Sequence, residues 1–231
     1  MQHAQIIEAT VAYVKKELSN AEAGHDWFHI QRVWTNAKII GAQEPVNMTI
    51  VELGALLHDI ADAKFHNGDE EIGPAKSSQF LRSISADEEI IEHVAQIIRH
   101  ISFKGGRQTS SFESPELFVV RDADRLDALG AIGIARAFHY GGFKNRLLFD
   151  PMQAPVKHLD AESYRNNHSP TINHFYEKLL LLKDLMHTES GKTLAENRHL
   201  FMESFLQQFY TEWYGGDTPN PFPDNNISMN G

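Results

Sequence analysis

The sequence predicts an all-α fold, and three observations predict it. Apolar residues recur at helical spacing in four separate stretches, polar glycine-bearing breaks fall between them, and no sustained period-two run argues for a sheet. The first stripe runs over 4–18, with Ile6, Ile7, Val11, Val14 and Leu18. The second, around 28–41, carries Phe28, Val33, Trp34, Ile39 and Ile40. A third covers 86–101, where Ile90, Ile91, Val94, Ile97, Ile98 and Ile101 share one face, and Ser85 with Glu88 has the spacing of a capping box at its start. The fourth, over 172–186, presents Ile172, Phe175, Leu179, Leu180, Leu182 and Met186.

Between these helices lie three loops, 64–75, 103–114 and 141–170. The last is long for a connection inside a compact domain, which suits a lid, a binding loop or a flexible segment. After Tyr214 the chain turns rich in Gly, Pro and Asn, so 215–231 reads as a flexible tail. The length allows one large domain over 1–214, with helices beyond about 170 forming a C-terminal extension.

Composition narrows the function. At 42% hydrophobic residues the chain can fill a core, and a net charge of −10 opposes duplex nucleic acid and anionic lipid. A small anionic substrate stays compatible, because a bound cation and local basic groups can reverse the field in a pocket. The absence of cysteine excludes disulfides, cysteine nucleophiles and zinc–thiolate sites. The N-terminal stretch is amphipathic with internal charges, and no run approaches the roughly 20 apolar residues of a membrane span. A cytoplasmic protein is the expectation, with a homodimer left open.

Three clusters carry ionisable groups into apolar surroundings. ELGALLHDIADAKF, 52–65, is an apolar helix that runs directly into His58, Asp59 and Asp62, and burial of such groups is costly unless they are paired or bind a metal. The ordinary alternative for His58 is a helix-end histidine suited to the helix dipole. HDWFHIQRV, 25–33, offers His25, Asp26, His29 and Arg32, with Asp26 placed as an N-terminal cap. RDADRLDALGAIG, 121–133, offers Asp122, Asp124 and Asp127, which are either solvated or turned inward toward a cation.

His29 before Gln31-Arg32-Val33, His58-Asp59 after an apolar helix, and Asp124 in Ala-Asp-Arg-Leu resemble the H…HD…D pattern of the HD superfamily of metal-dependent phosphohydrolases. The resemblance covers about 25–140. The wording HDIADAKF and DADRLDALGAIG, with the later INHFYEKLLLLKDLMHTESGK, is similar to a group of small bacterial HD hydrolases. It implies an HD-domain helical bundle with additional C-terminal helices and a catalytic core over about 20–140. The metal ligands it implies are His29, His58, Asp59 and Asp124, the last favoured over Asp122 by the family's Ala-Asp-Arg/Lys-Leu frame.

A set of two imidazoles and two carboxylates suits Mn, Mg, Fe, Co or Ni in an open site better than structural zinc. One ion per chain is expected. The resemblance also implies that Asp62, four positions after His58, activates water, and that Arg125 meets substrate phosphate. Lys64, His100 and Lys104 are further phosphate donors by proximity to the motifs, while Asp122 and Asp127 would orient neighbours or bind substrate. The expected activity is hydrolysis of a phosphoester or phosphoanhydride, in a nucleotide, as a pyrophosphohydrolase or a phosphatase. Two rivals are kept. A di-iron oxygenase on the same scaffold would need His93 and His100 as ligands, and a nucleotide sensor would keep the pocket without turnover.

Overall fold

The computed structural model describes residues 3–19, 26–61, 69, 71–101, 112–156, 169–216 and 221–222. Asp62, Lys64 and Lys104, named above as site residues, lie outside them, as does His25. Among the described residues every regular element is helical, as the stripes predict. The elements are α1 (His3–Glu17), α2 (Trp27–Gly41), α3 (Met48–Leu57), α4 (Ile72–Ser83), α5 (Glu88–His100), α6 (Pro115–Asp127), α7 (Gly130–Phe143), α8 (Thr171–Glu177), a 3-10 helix (Leu179–Leu185) and α9 (Glu189–Tyr214). Among the described residues no helix is long and apolar enough to cross a membrane.

The chain divides into two compact units. The first comprises Met1–Phe103, Gln108–Asp124 and His187–Gly191, and the second holds the remainder. In the first unit α3 is the central element, packed on α1, α2 and α5. Every residue from Ile50 to Leu57 is buried, so this helix has no solvated face. Gly54 lets neighbours approach closely: a Cβ there would stand 3.3 Å from the side chains of Ile97 on α5 and Val120 on α6. The helix starts are set by local chemistry. Asp26 accepts from the His29 N–H at 2.9 Å, Asn47 from Thr49 at 3.0 Å, and Ser114 Oγ from Leu117 at 3.1 Å, with Pro115 as the first residue of α6.

Three sequence expectations need correction. α5 is capped by Asp87, whose carboxylate accepts from the Glu89 N–H at 3.0 Å, and not by a Ser85–Glu88 box. Ser85 instead sits at φ 55°, closing the turn from α4, and Glu88 pairs with Arg82. Asp87→Ala should therefore cost about 1 kcal/mol in urea unfolding, whereas Glu88→Ala on the exposed pair should be near neutral. Along α2 the buried face is Ile30, Val33, Ala37 and Ile40, while Phe28 and Ile39 face solvent at 64% and 46% exposure. The 172–186 stripe is not one α-helix. It breaks at Lys178 (φ −145°, ψ −56°) and continues as the 3-10 helix, burying Leu179 and Leu182 three residues apart.

In the second unit α8 packs on the 3-10 helix and on α7. Its core is aromatic: Phe175 stacks on Phe205 at 5.8 Å between centroids, and Phe138 meets both. The start of α7 needs Gly130, whose φ of +69° few side chains tolerate and whose α-hydrogen faces the Arg198 stem. In the tail, Phe222 lies edge-on to Tyr176 and Phe149, at 5.4 Å and 6.2 Å.

Candidate metal centre

Three helices of the first unit bring one side chain, or two, to a common point. α2 supplies His29, which lies on its buried face among Ile30 and Val33. The C-terminal end of α3 supplies His58 and, next to it, Asp59. α6 supplies Asp124. His29 Nε2 stands 3.8 Å from Asp59 Oδ2 and 3.6 Å from Asp124 Oδ1, and His58 Nε2 stands 3.9 Å from the same Asp124 oxygen. The two imidazoles meet edge to face, with centroids 5.3 Å apart. Donor atoms about 2.1 Å from one ion can lie no more than about 4.2 Å apart. All three distances satisfy that bound.

The end of an apolar helix explains how His58 is aimed. The last carbonyls of α3 have no intrahelical donor, and His58 Nδ1 lies 2.9 Å from the Ala55 oxygen. That oxygen can only accept, so Nδ1 carries the proton, and in the neutral ring Nε2 presents a lone pair. Nε2 is buried and has no hydrogen-bond partner. An orphaned buried acceptor beside two carboxylates, with its tautomer fixed from behind by a carbonyl, is what a metal ligand requires. The helix-end role and the ligand role are thus the same fact seen from two sides.

The charges fit as well. Two carboxylates and two neutral imidazoles carry −2, which balances a divalent cation. Among the described residues, His29, His58 and Asp59 are the group whose ligand atoms lie close enough together to hold an ion, and Asp124 adjoins both imidazoles. The centre is closed on one side and open on the other: the histidine side chains are 3% exposed, and those of Asp59 and Asp124 are 20% and 41%.

The other sequence-named residues have different employment. His93 Nε2 lies 2.9 Å from Ser114 Oγ and 3.4 Å from Glu116. His100 Nδ1 donates to the Gln96 carbonyl at 2.9 Å. Arg125 donates to the Leu185 carbonyl, and Asp127 is buried against Arg136. Asp122 is wholly buried and accepts from the backbone of His187 and Thr188.

One residue that the motifs did not flag bears on the centre. Asn36, seven positions after His29 on the same face of α2, donates to the Ala123 carbonyl at 3.3 Å and so ties α2 to the residue before Asp124. Its signal in the sequence was a polar residue inside an apolar stripe.

The HD domain family model matches residues 27–129, a span that contains all four of these side chains. An HD-superfamily hydrolase from Bacillus thuringiensis is 45% identical, with a TM-score of 0.75, over 92% of this chain and 99% of its own. The chain belongs to the HD superfamily. A further relative, the uncharacterized protein YpgQ of Bacillus subtilis, is 35% identical over 206 residues, covering 89% of this chain and 92% of its own. Its crystal structure in complex with ADP superposes with a TM-score of 0.74, over 94% of this chain and all of that one. These HD neighbours support a hydrolase in general, with a His-His-Asp cluster of the kind HD domains use for divalent metals.

Proposed function

We propose that the protein hydrolyses a phosphoester or phosphoanhydride in a nucleotide, using one divalent cation held by His29, His58, Asp59 and Asp124. The observation that carries this is the buried, unpartnered Nε2 of His58, whose other nitrogen is tied to Ala55 and whose neighbours are carboxylates. The ADP complex of YpgQ supports a nucleotide as the ligand class. Pyrophosphate release from nucleoside triphosphates is preferred over removal of phosphate from monophosphates, on the family resemblance alone.

A divalent ion bound there supplies Lewis acidity toward a phosphoryl oxygen and lowers the pKa of water. The chain does the rest. Ala55 fixes the His58 tautomer, and Asn36 holds the register between the helices that carry His29 and Asp124. Asp62 is assigned the water-orienting carboxylate on the resemblance to HD enzymes, in which an acid four positions after the motif histidine acts on water. Lys64, His100, Lys104 and Arg125 are assigned to substrate phosphate, and the Leu185 carbonyl would then hold Arg125 in place.

The test is purified protein with Mn, Mg, Fe, Co or Ni and a panel of nucleoside tri-, di- and monophosphates. Metal-dependent release of phosphate or pyrophosphate, stopped by a chelator, is expected, with manganese as the leading ion. No turnover with any metal would remove the proposal. Metal analysis of the loaded protein should find about one ion per chain, unchanged in His93→Ala, because that imidazole is already committed to Ser114 and Glu116. Two ions, reduced to one in that variant, would point to oxygenase chemistry instead.

A further inference from the structure

Arg121 leaves α6 three residues before Asp124, so the two side chains share a face of the helix, one turn apart. The guanidinium is half-buried, and that burial lowers its pKa from the ordinary arginine value. Its Nη2 donates to the His100 carbonyl at 2.5 Å, at the end of α5, where a helix leaves carbonyls without donors. No carboxylate among the described residues comes within ion-pair distance of it, and Glu113 and Asp122 reach it only through the longer-range field. In this Arg121 differs from Arg82, Arg99 and Arg136, each of which holds a carboxylate.

A charge drawn partly out of water without a paired carboxylate is costly. Here it is retained one helical turn from Asp124, whose side chain is the more exposed of the two carboxylates of the centre. A guanidinium offers five donors in a planar fork, and one carbonyl leaves donors to spare for an anion. Phosphate is the anion that a cation between Asp59 and Asp124 would draw to the same place.

We propose that Arg121 binds the phosphate chain of the substrate, the terminal groups of a nucleoside di- or triphosphate, on the open side of the metal centre. This rests on the phosphohydrolase reading and names a residue that determines its substrate class. An incoming phosphate supplies the directly paired anion that no carboxylate among the described residues provides, and the bond to His100 keeps the fork oriented before it arrives.

The experiment is titration calorimetry of the manganese-loaded protein with pyrophosphate and with ADP, on wild type, Arg121→Gln and Arg121→Lys. Arg121→Gln should weaken pyrophosphate binding roughly 10- to 100-fold, the range for a lost charge-assisted bond. Arg121→Lys should recover part of it, since the charge returns without the fork. Manganese affinity without anion should change by less than the roughly 10-fold that disturbing an outer-shell partner costs. Wild-type affinity for pyrophosphate in Arg121→Gln overturns the inference. So does a parallel loss of manganese affinity, which would make Arg121 a prop between α5 and α6.

If Arg121→Gln does not fold, the wild-type protein still decides. Phenylglyoxal labelling of Arg121, read by peptide mass spectrometry, should be slowed by pyrophosphate with manganese, and an unchanged rate overturns the assignment. Failure of the parent reading looks different, because wild type then turns over no nucleotide even where pyrophosphate protects Arg121.

Discussion

Replacing Asp59 with alanine is expected to lower turnover by more than about 10³-fold, beyond the loss that follows from deleting a single neutral donor. The same change should erase the stabilisation that a divalent cation gives the folded protein. Asp59 contributes one of the two negative charges that balance the ion, and its Oδ2 stands 3.8 Å from His29 Nε2. Without it the set falls to one carboxylate and two neutral rings. At about 100 times the dissociation constant, manganese should stabilise the wild-type fold by about 2.7 kcal/mol, and a chelator should remove that gain. Asp59→Ala should show neither the gain nor the loss. Its metal-free unfolding midpoint should stay close to wild type, because the side chain is part-exposed and its truncation leaves no large cavity. Calorimetric scans with manganese and with a chelator, set beside product release, check both halves. A variant that keeps the metal-induced shift and the turnover would take Asp59 out of the site.

The helices were legible in the sequence because a buried face repeats, and where the repeat misled there is a physical reason. Along α2 the apolar residues Phe28 and Ile39 point outward, while His29 and Asn36 occupy the buried face beside Ile30, Val33 and Ala37. Polar groups sit inward there because one faces the carboxylates of Asp59 and Asp124 and the other ties α2 to α6, so hydrophobicity alone rotates the helix wrongly. Over 172–186 a period of 3.0 cannot be told from 3.6 across two turns, and the break at Lys178 leaves no mark in composition. Ser85 and Asp87 are both good caps, and only the positive φ of Ser85 decides between them. His58 was legible because an ionisable pair at the end of an apolar helix is costly unless it is used. Arg121 was not, because its bond to the His100 carbonyl, with no ion-paired carboxylate among the described residues, belongs to the folded chain and to no motif.

Asp122→Ala should be strongly destabilising, at about 3–5 kcal/mol, as expected when three donors lose one buried acceptor. The side chain is wholly inaccessible. Its oxygens accept from the His187 N–H at 3.0 Å and from the N–H and hydroxyl of Thr188, both at 2.8 Å. The Thr188 hydroxyl in turn accepts from the Gly191 N–H at 3.0 Å, in the first turn of α9, where a carboxylate also suits the positive end of the helix. Glycine is required at 191, since a Cβ there would stand 2.6 Å from Asp122 Oδ2. Alanine at 122 removes the acceptor of three donors, each at a cost of about 1–3 kcal/mol before relaxation. Asp122→Asn should lose less, because its one carbonyl oxygen still accepts while its amide turns a donor toward donors. Urea unfolding of both variants gives the order, wild type above asparagine above alanine. Asp122 is rotated about 200° around α6 from Asp124, so it anchors the helix from the side away from the metal ligands. Folded Asp122→Asn should accordingly keep a stoichiometry of about one manganese ion, because the change removes none of the four candidate ligands. A cost below about 1 kcal/mol for alanine would show that the 187–191 segment finds other acceptors, and that the first aspartate of the motif is dispensable to the fold.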